Sequence, residues 1–503
     1  MTNALESVRR LRAWHEGRPL PRGEKVNIHV GDDDEILCLA FVRMGGESLP
    51  WGCVVGSPTG SRRVVTVPDP RNRDLVADMM VEIGRIVLGH FGHPSYADGM
   101  DEVMSVYRHR QLWLPGGSHL ELLHSIAFAY ARTNRERGDI EVLRSFGQLA
   151  NCLYVEAQRP GQQTVVVASQ ALTTVYDFPS SSMRQSHIGH LLGWLGREKT
   201  RETRLRVARD AEKRSVSATL DPDFERENLV SLVEEWNEPP REERLKRGGR
   251  AATAIAGVLG GELRHRFDLT TAALQVVRSD SRPVNPGVAD LVRIGTDKFS
   301  RLWWDQVLRE LSNDPDEKPY WPGLRGDTSA RAAASAYQMR VAAARQAVHC
   351  LVHGDTALQD EELVRGHGVR GKISSIDGRG ATWTVVFDAP EFPSLRIGGT
   401  VVIAGAPKLE LKVVSISPDE RTLVLAPQWT SVKASMGPLA KAADSPSWKG
   451  PQLVFIEDFP VNLTEQLGYR INARSDGEFD ILDYFVAGTS VEVDQAQIEA
   501  GDE

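Results

Sequence analysis

EKVNIHV (24–30), EILCLAFVRM (35–44), WGCVVG (51–56) and RRVVTVPDP (62–70) alternate apolar and polar residues, and GDDD, GGESLP and SPTGS between them are turn-forming clusters. The stretch therefore reads as a four-strand meander. Immediately after it, NRDLVADMMVEIGRIVLGHF sets Leu75, Met79, Ile83 and Val87 four apart, an apolar stripe suited to cover one face of the sheet. Residues 1–100 are expected to form an α+β meander unit.

Beyond it the period becomes helical. Helices are predicted near 118–133, 138–157, 182–214, 221–237, 249–279, 287–312 and 327–353, interrupted by TVVVASQALTTVYDF (164–178), which reads as a strand followed by a helix. Asp221 before Pro222 supplies a cap oxygen and a preset first-turn φ, and Asn285-Pro286-Gly287 breaks the chain before the next helix. Residues 101–363 are thus expected to be a large, mostly α-helical body.

From 369 to 426 the period returns to two. VRGKISSI, TWTVVFD, TVVIAG, LELKVVSI and RTLVLA suggest a small five-stranded β-barrel within 364–450. Trp383, Val385 and Phe387 share one face, as do Leu409, Leu411 and Val413, whereas Val414 and Ile416 fall on the other and predict a bulge. An acidic C-terminal segment, 451–503, begins with a strand at PQLVFIEDF. The expected fold class is α+β multidomain: N-terminal β-meander with helix, helical body, barrel and acidic end.

Composition bounds the function. The chain has 503 residues, 41% hydrophobic and 25% charged, enough to bury several cores. No run of about eighteen apolar residues occurs and the start lacks a secretory apolar stretch, so the expectation is a cytoplasmic protein without a membrane span. Cys38, Cys53, Cys152 and Cys350 form no C-x-x-C pair and read as reduced side chains. The net charge of −8 does not favour a protein that coats nucleic acid through its bulk field. Its distribution is uneven: residues 451–503 hold twelve acids against Arg470 and Arg474, while 364–450 hold eleven bases against seven acids. A basic module followed by an acidic end can shield a basic surface or bind a basic partner.

GKISSIDGRGATWTVVFDAP, RIGGTVVIAG and LELKVVSISPDERTLVLAP resemble the accessory β-barrel of superfamily-one helicases of the nonsense-mediated-decay type, over residues 369–426. No G-x-x-x-x-G-K-[ST] phosphate cradle is present, so the motor core itself is missing. The resemblance implies a chain that acts beside a motor, with basic and aromatic side chains on the outer barrel face tracking a single strand. Arg370, Lys372, Arg379, Arg396, Lys408 and Lys412 are the positions available, with Trp383 or Trp429 as stacking surfaces; the alternative is a solvated polar face with both tryptophans in the core.

A second basic patch, GREKTRETRLRVARDAEKRS, places Arg197, Arg201 and Arg204 on one helical face and Arg206, Arg209 and Lys213 on another. Glu202 with Arg206, and Asp210 with Arg214, stand at i, i+4 and offer ordinary surface pairs instead. The histidine pairs His90/His93, His187/His190 and His349/His353 lack the further ligands a metal needs, so no metal and no cofactor is assigned. Asp388, Glu410 and Lys412 follow the D…E-x-K order of metal-dependent nucleases, an order that alternating strands also produce. Trp303, Trp304 and Trp321 concentrate near the middle of the chain, as core or as a partner surface. No catalytic signature is complete.

The expected function is a non-catalytic accessory or scaffold subunit that associates with nucleic acid or with a separate NTPase, helicase or nuclease, in a setting such as genome defence or a mobile element. The alternatives are a metal-dependent hydrolase or nuclease and a pure protein-assembly factor.

Overall fold

In the computed structural model, which describes residues 2–92, 109–134, 136–240, 249–311, 330–377, 382–388, 393–419, 421–427 and 452–458, the seven residues Ile36–Val42 form a strand buried along its whole length. The expected apolar–polar alternation fails here: a strand with one wet face keeps every second residue polar, whereas ILCLAFV is an unbroken apolar run, which belongs between two covering layers. The described strands are β1 Leu20–Pro21, β2 Ile36–Val42, β3 Gly52–Gly56, β4 Arg62–Thr66, β5 Gln111–Leu114, β6 Val165–Val167, β7 Tyr176–Asp177, β8 Gly368–Asp377, β9 Thr382–Phe387, β10 Thr400–Ile403, β11 Ala406–Ser417, β12 Thr422–Pro427 and β13 Leu453–Asp458. The helices are α1 Thr2–Glu16, α2 Arg73–Phe91, α3 Gly117–Tyr130, α4 Ile140–Ala157, α5 Ala168–Val175, α6 Ser182–Gln185, α7 Ile188–Leu195, α8 Arg201–Glu212, α9 Pro222–Asn228, α10 Val230–Asn237, α11 Arg250–Arg278, α12 Gly287–Leu311, α13 Ala330–Val352 and α14 Thr356–Val364. Among the described residues no helix is long and apolar enough to cross a membrane.

The first sheet runs β4-β3-β2-β5-β6. β2, β3 and β4 are the antiparallel meander, while β5 pairs parallel with β2 and β6 parallel with β5. This corrects the four-strand meander in two ways. EKVNIHV contributes no strand, only a bridge from Val26 to Val284, and two strands from beyond residue 100 complete the sheet. Both faces are covered. Gly52, paired with Val42, has Leu263 of α11 packed over it, whereas Phe41, one residue away, stacks on His119 of α3.

The expected continuous helix 182–214 is three helices, α6, α7 and α8, and 221–237 is divided at Leu229 into α9 and α10. Asp221 caps α9 as its position before Pro222 requires: its side chain accepts from the N–H groups of Asp223 and Phe224.

The second sheet has six strands, not five. Each pairs antiparallel with two neighbours in the order β10-β11-β12-β9-β8-β13, and β13 pairs back to β10, so the ladder closes on itself. The sixth strand is the LVFIED of the expected acidic end; without it β8 and β10 would each carry an open edge. The predicted bulge is present, with the register shifting between Val413 and Ser415. Val414 points outward there, and the extra residue returns Ile416 to the inner face, where it packs on the barrel core. The link between α14 and β8 is held to the barrel by backbone bonds from Ser394 N–H to the Gly366 carbonyl at 2.7 Å and from Glu457 N–H to the His367 carbonyl at 2.8 Å. An ion pair between Arg370 and Asp360 adds to this attachment.

Candidate nucleic-acid interface

Residues 197–214 carry eight bases and four acids, a balance of plus 4. Thr200 caps α8 by accepting a hydrogen bond from the Thr203 N–H. Only Ala208 is buried along this helix, where α7 crosses it: a Cβ on Gly193 would stand 2.7 Å from the Ala208 Cα, so only glycine allows the approach. At the first turn of α8 the Arg201 guanidinium lies 4.9 Å from the centre of the Trp14 ring of α1, a cation–π contact.

The pairing of this helix differs from the i, i+4 expectation. Glu202 is taken by Arg201 at 3.1 Å, Asp210 by Lys213 at 2.8 Å, and Arg214 turns inward to Glu262 at 2.7 Å. Long side chains reach nearer acids and, for Arg214, a buried one. Arg206 and Arg209 are consequently left exposed and make no side-chain hydrogen bond among the described residues. Arg197 is also exposed but precedes the helix, and Arg204 is half-buried with its Nε–H donating to the Glu198 carbonyl at 2.7 Å. Arg197, Arg201 and Arg204 therefore do not form one helical row; Arg206 and Arg209 are the outward pair.

After α8, Ser215–Leu220 enters the carboxyl end of the first sheet. Open α/β sheets bind small ligands in the crevice where neighbouring parallel strands send the chain in opposite directions. Here that position lies between β2 and β5, and the chain itself fills it. Arg43 N–H donates to the Ala218 carbonyl at 2.8 Å, Leu220 N–H to the Arg43 carbonyl at 3.0 Å and Ala218 N–H to Ser118 Oγ at 2.9 Å. His119 completes the plug: Nδ1 accepts from Phe41 N–H at 3.1 Å, so Nε2–H donates to the Val216 carbonyl at 3.1 Å.

Burial pushes the His119 pKa down to about 3. Because the folded value lies below the unfolded one, its stabilising contribution is complete above pH about 6.5 and is lost as the pH falls, at about 1.4 kcal/mol per pH unit until the folded value is reached. His90, His109 and His353, each pushed by burial to about 4, act in the same direction. Thermal unfolding followed by circular dichroism should show the midpoint falling between pH 6.5 and 5, with a shallower slope for His119→Gln.

The barrel positions are not brought together. Trp383 is 2% exposed inside the barrel core, so its ring offers no surface to a base; on a closed barrel this alternating apolar position turns inward. Arg370 is engaged by Asp360. Lys372 on β8 and Lys412 on β11 are exposed on opposite walls, three strands apart in either direction around the ring of six. Arg396 is exposed in the β9–β10 connection. Lys408 lies on β11 with its side chain outside the described residues, as are Arg379, Trp429 and the acidic stretch 459–503.

The remaining sequence candidates also separate. Lys412 pairs with Ala426, whose neighbour Leu425 pairs with Trp383, while Asp388 follows the far end of β9, about 16 Å further along at ~3.3 Å per residue. Asp388 and Lys412 thus cannot share an ion. His187 caps α7, its Nδ1 accepting from His190 N–H at 3.1 Å, and His353 Nδ1 accepts from Gly405 N–H at 3.2 Å, 4.8 Å ring to ring from His349. His90 Nε2 lies 3.3 Å from the Gln111 carbonyl, and His93 is outside the described residues. Among the described residues no three metal-binding side chains gather. Trp303 is fully buried and donates to the Gly92 carbonyl at 3.2 Å; the Trp304 side chain and Trp321 are outside the described residues.

One constellation escaped the sequence reading. Ser180 Oγ lies 2.7 Å from His190 Nε2, and His190 Nδ1 lies 2.9 Å from Glu212 Oε1, the last residue of α8. Trp194 Nε1 also donates to His190 Nε2, at 3.1 Å. The only hint was a histidine on the otherwise apolar helix IGHLLGWL; Ser180 and Glu212 stand ten and twenty-two positions from it, without a local motif. The chain matches no protein-family model, no curated protein and no solved structure.

Proposed function

We propose that the chain is an accessory or scaffold subunit that associates with nucleic acid through the exposed face of α8 and with a separate nucleic-acid-processing motor. The observation that carries this reading is the outward pair Arg206 and Arg209, flanked by exposed Arg197, with no side-chain hydrogen bond among the described residues, while Glu202 is paired with Arg201 and Asp210 with Lys213, Arg206 acting on Asp210 through its charge alone. Exposed guanidinium groups on a helix anchored at both ends and at its middle suit phosphate contacts, which position a protein on a strand without reading its sequence.

The barrel enters through the resemblance of its sequence, over residues 369–426, to a helicase accessory barrel. Its basic side chains are dispersed over opposite walls, so the barrel is assigned to the motor and α8 to the nucleic acid. Purification of the full chain from its own cells at low salt, with assay of bound nucleic acid and bound proteins, tests this. The expected result is co-purifying nucleic acid that leaves as salt rises, together with an NTPase, helicase or nuclease. Recovery of the chain with neither would remove the reading.

A further inference from the structure

We infer that the apolar stripe Val8, Leu11 and Trp14 of α1, with the adjoining arginines of α8, is a docking surface for the acidic segment DGEFDILDYF (476–485) of the same chain, which thereby competes with a strand for α8. The competition rests on the reading of α8 as a phosphate-binding face; the contact itself does not.

The surface is built from two helices. Val8 is 62% exposed, Leu11 58% and Trp14 38%, three apart along α1 on the side turned away from buried Ala13. A single exposed apolar residue is ordinary, whereas three along one side of a helix, a tryptophan among them, form a patch that a partner would cover. Arg201 joins this stripe to α8. Its guanidinium lies over the Trp14 ring at 4.9 Å, and a Cβ on Gly17, just after α1, would stand 3.0 Å from the Arg201 Cβ. Exposed Arg206 and Arg209 follow on the same helix, so an apolar strip is continued by cations.

The segment is the complement in both respects. It sets Asp476, Glu478, Asp480 and Asp483 among Phe479, Ile481, Leu482, Tyr484 and Phe485, and it contains no base. Carboxylates meet arginine in charge-assisted bonds, while apolar side chains are taken up by an apolar helix face. On the barrel, exposed Lys372 and Lys412 stand on opposite walls and do not offer this combination.

Reach is sufficient. Glu457 N–H of β13 donates to the His367 carbonyl, His367 Nδ1 lies 2.7 Å from Glu362 Oε2 of α14, the neighbouring Glu361 pairs with Arg9 of α1, and Trp14, five residues on, meets Arg201. Followed along side chains and at about 1.5 Å per helical residue, this path is on the order of 40 Å. The seventeen residues 459–475 can span about 56 Å at ~3.3 Å each. A short tether holds its end at roughly millimolar effective concentration, so individually weak contacts suffice to occupy the face.

The test treats the full chain at low salt with a carbodiimide, which joins a carboxylate to an amine. Cross-links within single chains are expected from 476–483 to Lys199 or Lys213, the exposed amines at the two ends of α8. They should fall at least about fivefold in the chain carrying Val8→Ser and Leu11→Ser, since each lost apolar contact weakens docking, while the exposure of both positions keeps the thermal midpoint close to wild type. Full chain carrying Asp476→Asn, Glu478→Gln, Asp480→Asn and Asp483→Asn should hold a labelled oligonucleotide about tenfold more tightly at about 50 mM salt, as a face free one-tenth of the time becomes free throughout. Absence of cross-links to α8, their confinement to a covalent dimer, or their persistence in the double-serine chain overturns the inference. An affinity unchanged by the four substitutions overturns the competition. If neither chain binds a strand, the phosphate-binding reading of α8 fails and the competition with it, whereas the cross-links still decide the contact.

Discussion

Glu262→Ala should cost about 3–5 kcal/mol of stability, the usual penalty for removing one partner of a buried ion pair. Arg266 is fully buried in α11, its Nη1–H donating to Glu262 Oε2 at 2.7 Å, while Arg214 reaches the other oxygen at 2.7 Å. Burial raises the Glu262 pKa, but the hydrogen bonds from Arg266 and Arg214 outweigh it and hold the carboxyl below its ordinary value. Without that carboxylate, Arg266 keeps only carbonyl partners, Ser217 and the backbone of residue 262, and remains a desolvated cation. The same change releases Arg214, and with it the junction between α8 and the segment that plugs the sheet. Denaturant unfolding followed by circular dichroism measures the loss. The double change Glu262→Met with Arg266→Leu should cost less than Glu262→Ala, because it removes both charges. A loss below about 1 kcal/mol for Glu262→Ala would mean that water reaches this pair.

The second large effect is on binding. Arg197→Gln, Arg206→Gln and Arg209→Gln together should weaken retention of a single strand on the order of 10²-fold at about 50 mM salt, since each phosphate contact releases roughly 0.7 counterion. The slope of log K against log salt should flatten by about 2. Arg206 and Arg209 are exposed on α8 and Arg197 lies before it, all without side-chain hydrogen bonds among the described residues, so the thermal midpoint should stay close to wild type. Fluorescence anisotropy with a labelled oligonucleotide reads both quantities. An unchanged affinity would move the interface away from α8.

What could be read from the sequence divides along physical lines. The long helices α11, α12 and α13 lie within a residue or three of their predicted ends, because amphipathic repeats over more than twenty residues leave little ambiguity. The barrel strands were legible through their alternation. So was β6 with the helix after it, read at TVVVASQALTTVYDF; β5 was not, because QLWL is buried on every residue and too short to carry a period, and the parallel pairing of both strands joins distant parts of the chain. The break of 182–214 into three helices depends on where Gly193 must meet Ala208, a tertiary demand. The arginine cluster was visible as charge, but its pairing was not, since Arg214 chooses a partner 48 positions away. Ser180, His190 and Glu212 converge only through the packing of α7 on α8. Glu262 and Arg266 did leave a trace, two opposite charges at i, i+4 inside the apolar stripe of α11 that holds Ile255, Leu259, Leu263 and Phe267.

The central claim is that α8 is a phosphate-binding surface, and a salt titration of wild-type chain against a labelled oligonucleotide tests it most directly. The account predicts a linear fall of log K with log salt, with a slope of about −2 or steeper, as three or more phosphate contacts require on a single strand. No measurable association at low salt, or an affinity indifferent to salt, would contradict it.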